Sequence, residues 1–136
     1  MINPWKQTSS LAEAESLSGI SYPEIDPGLL PAGMKPEAFF CMNGLIEVRY
    51  GNGTDTLIIR RTNRSADNLT GDYNSYPSSF DYDLNGMILH CNGTKEYVNN
   101  AEFTPYIGLV SIVMNPGQPG KGLPLRVLCA LAEQFL

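Results

Sequence analysis

The chain is poor in almost everything that marks a dedicated chemistry. It has one histidine, one tryptophan and three cysteines in 136 residues, and charged side chains make up only 17% of it. Nine basic residues against fourteen acidic ones leave a net charge of −5. The densest basic run is Arg60-Arg61, with Arg64 three residues on. Nucleic-acid binding needs a basic face to displace counterions from phosphates, so it is excluded, and an anionic membrane surface is disfavoured for the same reason. The longest apolar run, Ile107 to Met114, is eight residues long and contains Gly108 and Ser111. A membrane-spanning helix needs about 20 apolar residues, so no spanning segment is expected. Cys41, Cys91 and Cys129 are odd in number and widely spaced. That fits neither a disulfide framework nor the paired spacings of a zinc site, and three buried, reduced thiols are expected. The opening Met1-Ile2-Asn3-Pro4-Trp5 lacks the basic region and apolar core of a signal peptide. The chain is then cytoplasmic as written, or extracytoplasmic if a leader or lipid anchor was trimmed.

What is present is apolar and rich in turns. Leu, Ile, Val and Phe total 34, enough to collapse, and 13 Gly, 10 Pro and 11 Asn supply frequent turns. The length suits one domain, residues 1–136. Over 8–19, the hydroxyls of Thr8, Ser9 and Ser10 and the Ser10/Glu13 spacing predict a capping box. Leu11, Ala14 and Leu17 predict an apolar stripe, and Gly19 a left-handed stop. Residues 20–36, with a proline every four or five positions, predict an irregular connector that wraps the domain.

From Glu37 the period changes to two. Asn43-Gly44 predicts a type I′ hairpin joining 38–42 to 45–50, which pairs Met42 with Leu45, Cys41 with Ile46, Phe40 with Glu47 and Phe39 with Val48. A third strand is expected over 56–61. Asn85-Gly86 predicts a second hairpin, with Tyr82 opposite Leu89, Phe80 opposite Cys91, Asp83 facing Ile88 and Asp81 facing His90. Strands over 96–103 and 106–114 follow, the latter so apolar that it should be central. A Gly/Pro loop, 115–124, leads to an amphipathic helix carrying Leu125, Leu128, Cys129, Ala132 and Phe135 on one stripe. The expected fold is α+β: an antiparallel β-meander of six or seven strands with N-terminal and C-terminal helices packed against it.

Few residues carry chemistry. His90 opposite Asp81 is a base or a pH switch in principle and a half-exposed cross-strand pair by default. Adjacent Cys91 leaves the opposite face of its strand, so no Cys-His dyad exists there. Gly51-Asn52-Gly53 and Gly117 to Gly122 match no phosphate-cradling loop. The long loop Thr62 to Ser79 is the better candidate, because long loops in compact domains are often functional. Its Asp67, Asn68, Asp72 and Asn74 carry oxygens for a calcium ion, but their order does not fit the EF-hand. Tyr73 and Tyr76 could stack on a ligand such as a sugar.

Two stretches resemble a family of uncharacterised bacterial domains found mainly in Gram-positive anaerobes. One is Asn3-Pro4-Trp5 followed by the Leu11-Ala12-Glu13-Ala14-Glu15 to Gly19 helix. The other comprises Ile46 to Tyr50, Leu57 to Arg60 and the loop Thr70-Gly71-Asp72-Tyr73-Asn74-Ser75-Tyr76, similar to that family's Gly-Asp-Tyr-Asn-x-Tyr block. This chain has Asn68 where an acid is usual, and Phe103 replaces a tryptophan in an Ala-x-Trp strand. The resemblance implies kinship with lipoprotein-like extracytoplasmic domains and with the outer part of anti-sigma-type regulators, and brings no catalytic residues.

The reading that follows is a non-enzymatic binding or sensing domain, with no cofactor and no metal, whose ligand or protein partner meets Asp72, Tyr73, Asn74 and Tyr76. The alternatives are a small hydrolase using carboxylates or a bound metal, and a structural domain docking through the Phe40–Met42 face. A cleft holding several carboxylates beside His90 would favour the hydrolase.

Overall fold

The computed structural model describes residues 5–64 and 68–136, so Met1 to Pro4 and Ser65 to Asp67 lie outside the account. The Asn3-Pro4 motif and the calcium candidate Asp67 fall there. The elements in chain order are β1 (Lys6–Thr8), α1 (Leu11–Ser18), a 3-10 turn (Pro27–Leu29), β2 (Lys35–Met42), β3 (Leu45–Gly51), β4 (Thr56–Thr62), β5 (Ser79–Leu84), β6 (Met87–Gly93), β7 (Val98–Phe103), β8 (Leu109–Met114) and α2 (Leu125–Glu133). The architecture is α+β, with one antiparallel sheet of eight strands rather than six or seven. The extra strand, β1, carries no apolar period. It exists because Lys6, Gln7 and Thr8 pair with Cys41, Phe40 and Phe39 at the sheet edge.

The strand order, β1-β2-β3-β4-β8-β7-β6-β5, also corrects the single meander. Each half is a meander of its own, and the halves meet where β4 pairs with β8, from Leu57↔Met114 to Thr62↔Leu109. Strand β8 is therefore central, as its continuous apolar run requires. Two expected strands are shorter than their patterns: Glu96 and Tyr97 stay in a turn, and Gly108 keeps positive φ before β8 begins.

Both hairpins have the expected register. Only the second has both turn residues at positive φ, Asn85 at 53° and Gly86 at 92°. In the first turn Gly44 alone is positive, at 80°, so it is not type I′. Tertiary contacts offer the reason. Gly44 N–H donates to Ser18 O, Thr62 Oγ1 donates to Gly44 O, and Arg64 Nη2 donates to Asn43 O. The turn is seated between the end of α1 and the end of β4.

The N-cap of α1 forms as its sequence requires: Ser10 Oγ accepts from Glu13 N–H at 3.1 Å, and Gly19 closes the helix at φ 75°. The reciprocal half of the box is replaced, since Glu13 Oε2 takes the Ser9 hydroxyl instead. The apolar stripe differs too. Ala14 and Ser18 are buried, whereas Leu17 is 48% exposed. The connector 20–36 does wrap the domain, tied by Tyr22 N–H to Glu15 Oε2 and by Asp26 N–H to Gln134 Oε1.

Strand alternation gives the sheet two unlike faces. One carries Ile46, Val48, Leu57, Ile59, Leu89, Phe103, Val110 and Ile112, all buried in a single cluster with Ala14 of α1 and with Leu128, Leu131 and Ala132 of α2. Phe135, just past α2, packs edge-on against Tyr22 and Phe103. Cys41 and Cys91 are buried there, while Cys129 is half-buried; all three thiols are free. Among the described residues, no helix is long and apolar enough to cross a membrane. The opposite face is polar, and it positions the candidate site.

Candidate functional site

The register places one residue from each of seven neighbouring strands in a single row across the polar face: Phe40, Glu47, Arg60, Ser111, Glu102, His90 and Asp81. The β2–β4 end of this row is occupied by its own contacts. Glu47 is 1% exposed, and its carboxylate accepts from Arg49 Nε at 2.6 Å and Arg60 Nε at 2.7 Å. The Arg49 guanidinium lies 4.3 Å from the Phe40 ring centroid, so the Phe40–Met42 face is partly capped by a cation. Arg60 also stacks on Trp5 and donates through Nη1 to Leu69 O. That last bond pulls the loop after β4 down onto the sheet.

The loop is built for this seat. Asn68 at φ 48° and Gly71 at φ 65° reverse the chain, and a Cβ on Gly71 would come within 2.9 Å of Arg60 Nη1. Thr70 N–H donates to Glu102 Oε1 at 3.2 Å, and Thr70 Oγ1 accepts from Asp72 N–H. Asp72 is the hub. Its Oδ1 accepts from the Asn74 backbone and side-chain amides, and its Oδ2 accepts from the Tyr76 hydroxyl and from Asn100 Nδ2. Burial raises the Asp72 carboxyl, but these hydrogen bonds outweigh it and hold the group below its ordinary value. Tyr76 moves the other way, raised by burial and by its bond to Asp72. Its hydroxyl oxygen accepts from Gly117 N–H, joining this loop to the Gly/Pro loop.

The four candidate contact residues thus divide. Asp72, Asn74 and Tyr76 come together as an internal clamp, while the Tyr73 ring is 83% exposed. Between the clamp and strands β5–β7 lies a polar cleft of about 660 Å³, walled by Asn68, Thr70 and Asp72 and floored by Asn92, Asn100, Glu102, His90 and Asp81. His90 Nδ1 and Asp81 Oδ1 are 2.9 Å apart, each side chain 66% exposed, as the cross-strand pairing predicts. Asn92 Nδ2 donates to Asn100 Oδ1 at 2.8 Å. Within the described residues, Glu102 Oε2, Asp81 Oδ2, Asn92 Oδ1 and His90 Nε2 make no hydrogen bond. The cleft therefore offers several acceptors and few donors.

Sequence reasoning missed Asn92, Asn100 and Glu102. A signal existed, because Asn100 and Glu102 alternate with buried Ala101 and Phe103. Their offset against β6 was hidden by the register shift between Asn92 and Gly93. Among the described residues, no group of three or more His, Cys, Asp or Glu is arranged to hold a metal ion. Comparison of the chain with family models, curated proteins and solved structures gives no match.

Proposed function

We propose that the chain is a non-enzymatic binding or sensing domain whose polar cleft takes a small hydrophilic ligand presenting hydrogen-bond donors, such as an amine or an amino sugar. One observation carries the reading: three carboxylates line one cleft, and while Asp72 is engaged by its own loop, the outward oxygens of the other two, Asp81 Oδ2 and Glu102 Oε2, are not consumed by the donors of the described residues. Charge-assisted hydrogen bonds are about twice as strong as neutral ones, so a cationic donor gains most from this lining. The Asp72 clamp fixes the loop wall before a ligand arrives, which reduces the ordering cost of binding. The resemblance to extracytoplasmic domains extends the proposal to a role in the cell envelope, which fractionation of the native host would test.

Calorimetric titration with glucosamine, putrescine and glucose tests the reading. An amine is expected to bind more tightly than glucose, and Glu102→Gln to weaken it about tenfold without altering the melting temperature. If none of the three binds, or if Glu102→Gln leaves the amine affinity unchanged, the reading fails.

A hydrolase is the second reading, favoured by the same carboxylates standing beside His90. The His90–Asp81 pair could take a proton from water, and hydrolysis of model esters or glycosides lost in His90→Gln would establish it. Binding without turnover that persists in His90→Gln would exclude it.

A further inference from the structure

A second cavity, of about 310 Å³, lies on the helix-bearing side of the sheet, between the connector 20–36, α1 and strands β2 and β3. That volume is at the lower end of small-molecule pockets. Leu11, Ile25, Leu30, Met34, Phe39 and Val48 make it apolar, and Pro23, Pro27 and Pro36 fix the backbone of its outer wall. Two tyrosines also line it, Tyr22 at 7% and Tyr50 at 2% exposure, and their hydroxyls bond to each other. Two phenols carry two protons, and the bond between them uses one. Among the described residues no acceptor takes the other. A buried donor without a partner is costly, so an acceptor entering the cavity would be held there. The rim carries one charge of each sign, Glu24 and Lys35, which gives no net preference for an ion.

We propose that this cavity binds a small, neutral, apolar molecule bearing one carbonyl oxygen, which accepts the spare phenolic proton of the Tyr22–Tyr50 pair. The cavity is separate from the polar cleft, and neither proposal depends on the other.

The test compares 2-hexanone with n-hexane by saturation-transfer NMR titration of the intact chain and of Tyr22→Phe/Tyr50→Phe. Replacing both members of a hydrogen-bonded pair by same-shaped apolar groups is nearly neutral for folding. The ratio of ketone to alkane affinity is expected to fall about five- to tenfold in the double variant, the worth of one net hydrogen bond. Leu30→Trp, which fills the cavity, should abolish binding of both probes, and it serves as the check if the double variant does not fold. An unchanged affinity ratio, ketone binding that survives Leu30→Trp, no ketone binding to the wild type, or self-association that buries Leu30 would each overturn the proposal.

Discussion

Asn100 Nδ2 donates to Asp72 Oδ2 at 2.9 Å, and this bond ties a loop to strand β7, twenty-eight positions further along the chain. Asn100 accepts in turn from Asn92 on β6. A short relay of amides therefore sets the height of the loop above the sheet and the width of the cleft. The conspicuous Gly-Asp-Tyr-Asn-x-Tyr block is first a device for positioning backbone, and only through that a device for recognition.

Acid should release that device. The folded Asp72 carboxyl lies below its ordinary value of 3.8, so it stabilises the fold above that pH, and the contribution is lost as pH falls through the depressed folded value. Asp72→Asn should lower stability by about 1–3 kcal/mol at pH 7. The gap from wild type should shrink below about pH 4. Urea denaturation at pH 7 and pH 3 measures it, and a gap as large at pH 3 as at pH 7 would contradict the assignment.

Two residues of the polar row, on either side of Arg60, should respond in opposite senses. Glu47→Gln removes the partner of both Arg49 and Arg60, and should cost about 2–3 kcal/mol. Ser111 is fully buried, and its hydroxyl has no partner among the described residues. Ser111→Ala should therefore be neutral or stabilising by up to ~1 kcal/mol. Chemical denaturation of the pair decides the matter; a Ser111→Ala variant as weak as Glu47→Gln would reveal a bond to that hydroxyl.

Glycines at similar φ should differ in what they tolerate. A Cβ on Gly108, at φ 76°, would sit 1.8 Å from Thr62 O, whereas one on Gly53, at φ 87°, meets nothing within 4 Å. Gly53→Ala should cost only the left-handed penalty, about 1–2 kcal/mol. Gly108→Ala must also move backbone at the seam between β4 and β8, and should cost roughly 3 kcal/mol or more. Melting temperatures rank the two, and equal shifts would show that the seam can yield.

The thiols should be alkylated in order of access. Burial pushes the Cys91 thiol up to about 12, and Cys129, also raised by burial, lies half-buried on α2. Iodoacetamide at pH 8 should label Cys129 slowly and reach Cys41 and Cys91 only in denaturant. Early labelling of Cys91, read by mass spectrometry, would mean that α2 leaves the sheet readily.

Local features were legible in the residues and long-range ones were not. Asn85-Gly86 dictated its turn, and alternation set the partners of Phe40 and Tyr82, because hairpin register depends on near neighbours. The type I′ expectation failed at Asn43 because Ser18, Thr62 and Arg64 grip that turn from elsewhere in the chain. Strand β1 escaped notice because pairing with Phe39, Phe40 and Cys41 makes it a strand, with no help from its own composition. Of the site, Asp72 and Tyr76 were visible as a motif and His90 as a cross-strand partner of Asp81. Glu102 was readable as an outward residue of its strand, but its place opposite His90 depends on a register shift at Asn92/Gly93 that no local pattern announces.

The seam between β4 and β8 has a consequence for how the molecule could be divided. Each half-sheet is stitched by antiparallel pairing of strands successive in the chain, and the halves share six paired positions at the seam, from Leu57↔Met114 to Thr62↔Leu109. A chain cut between β4 and β5 would leave two fragments, each holding four strands and one helix, with complementary open edges. Such fragments are expected to reassociate through those edges, and the long connection adds its own bonds to Arg60 on one half and to Glu102 and Asn100 on the other while keeping their local concentration high.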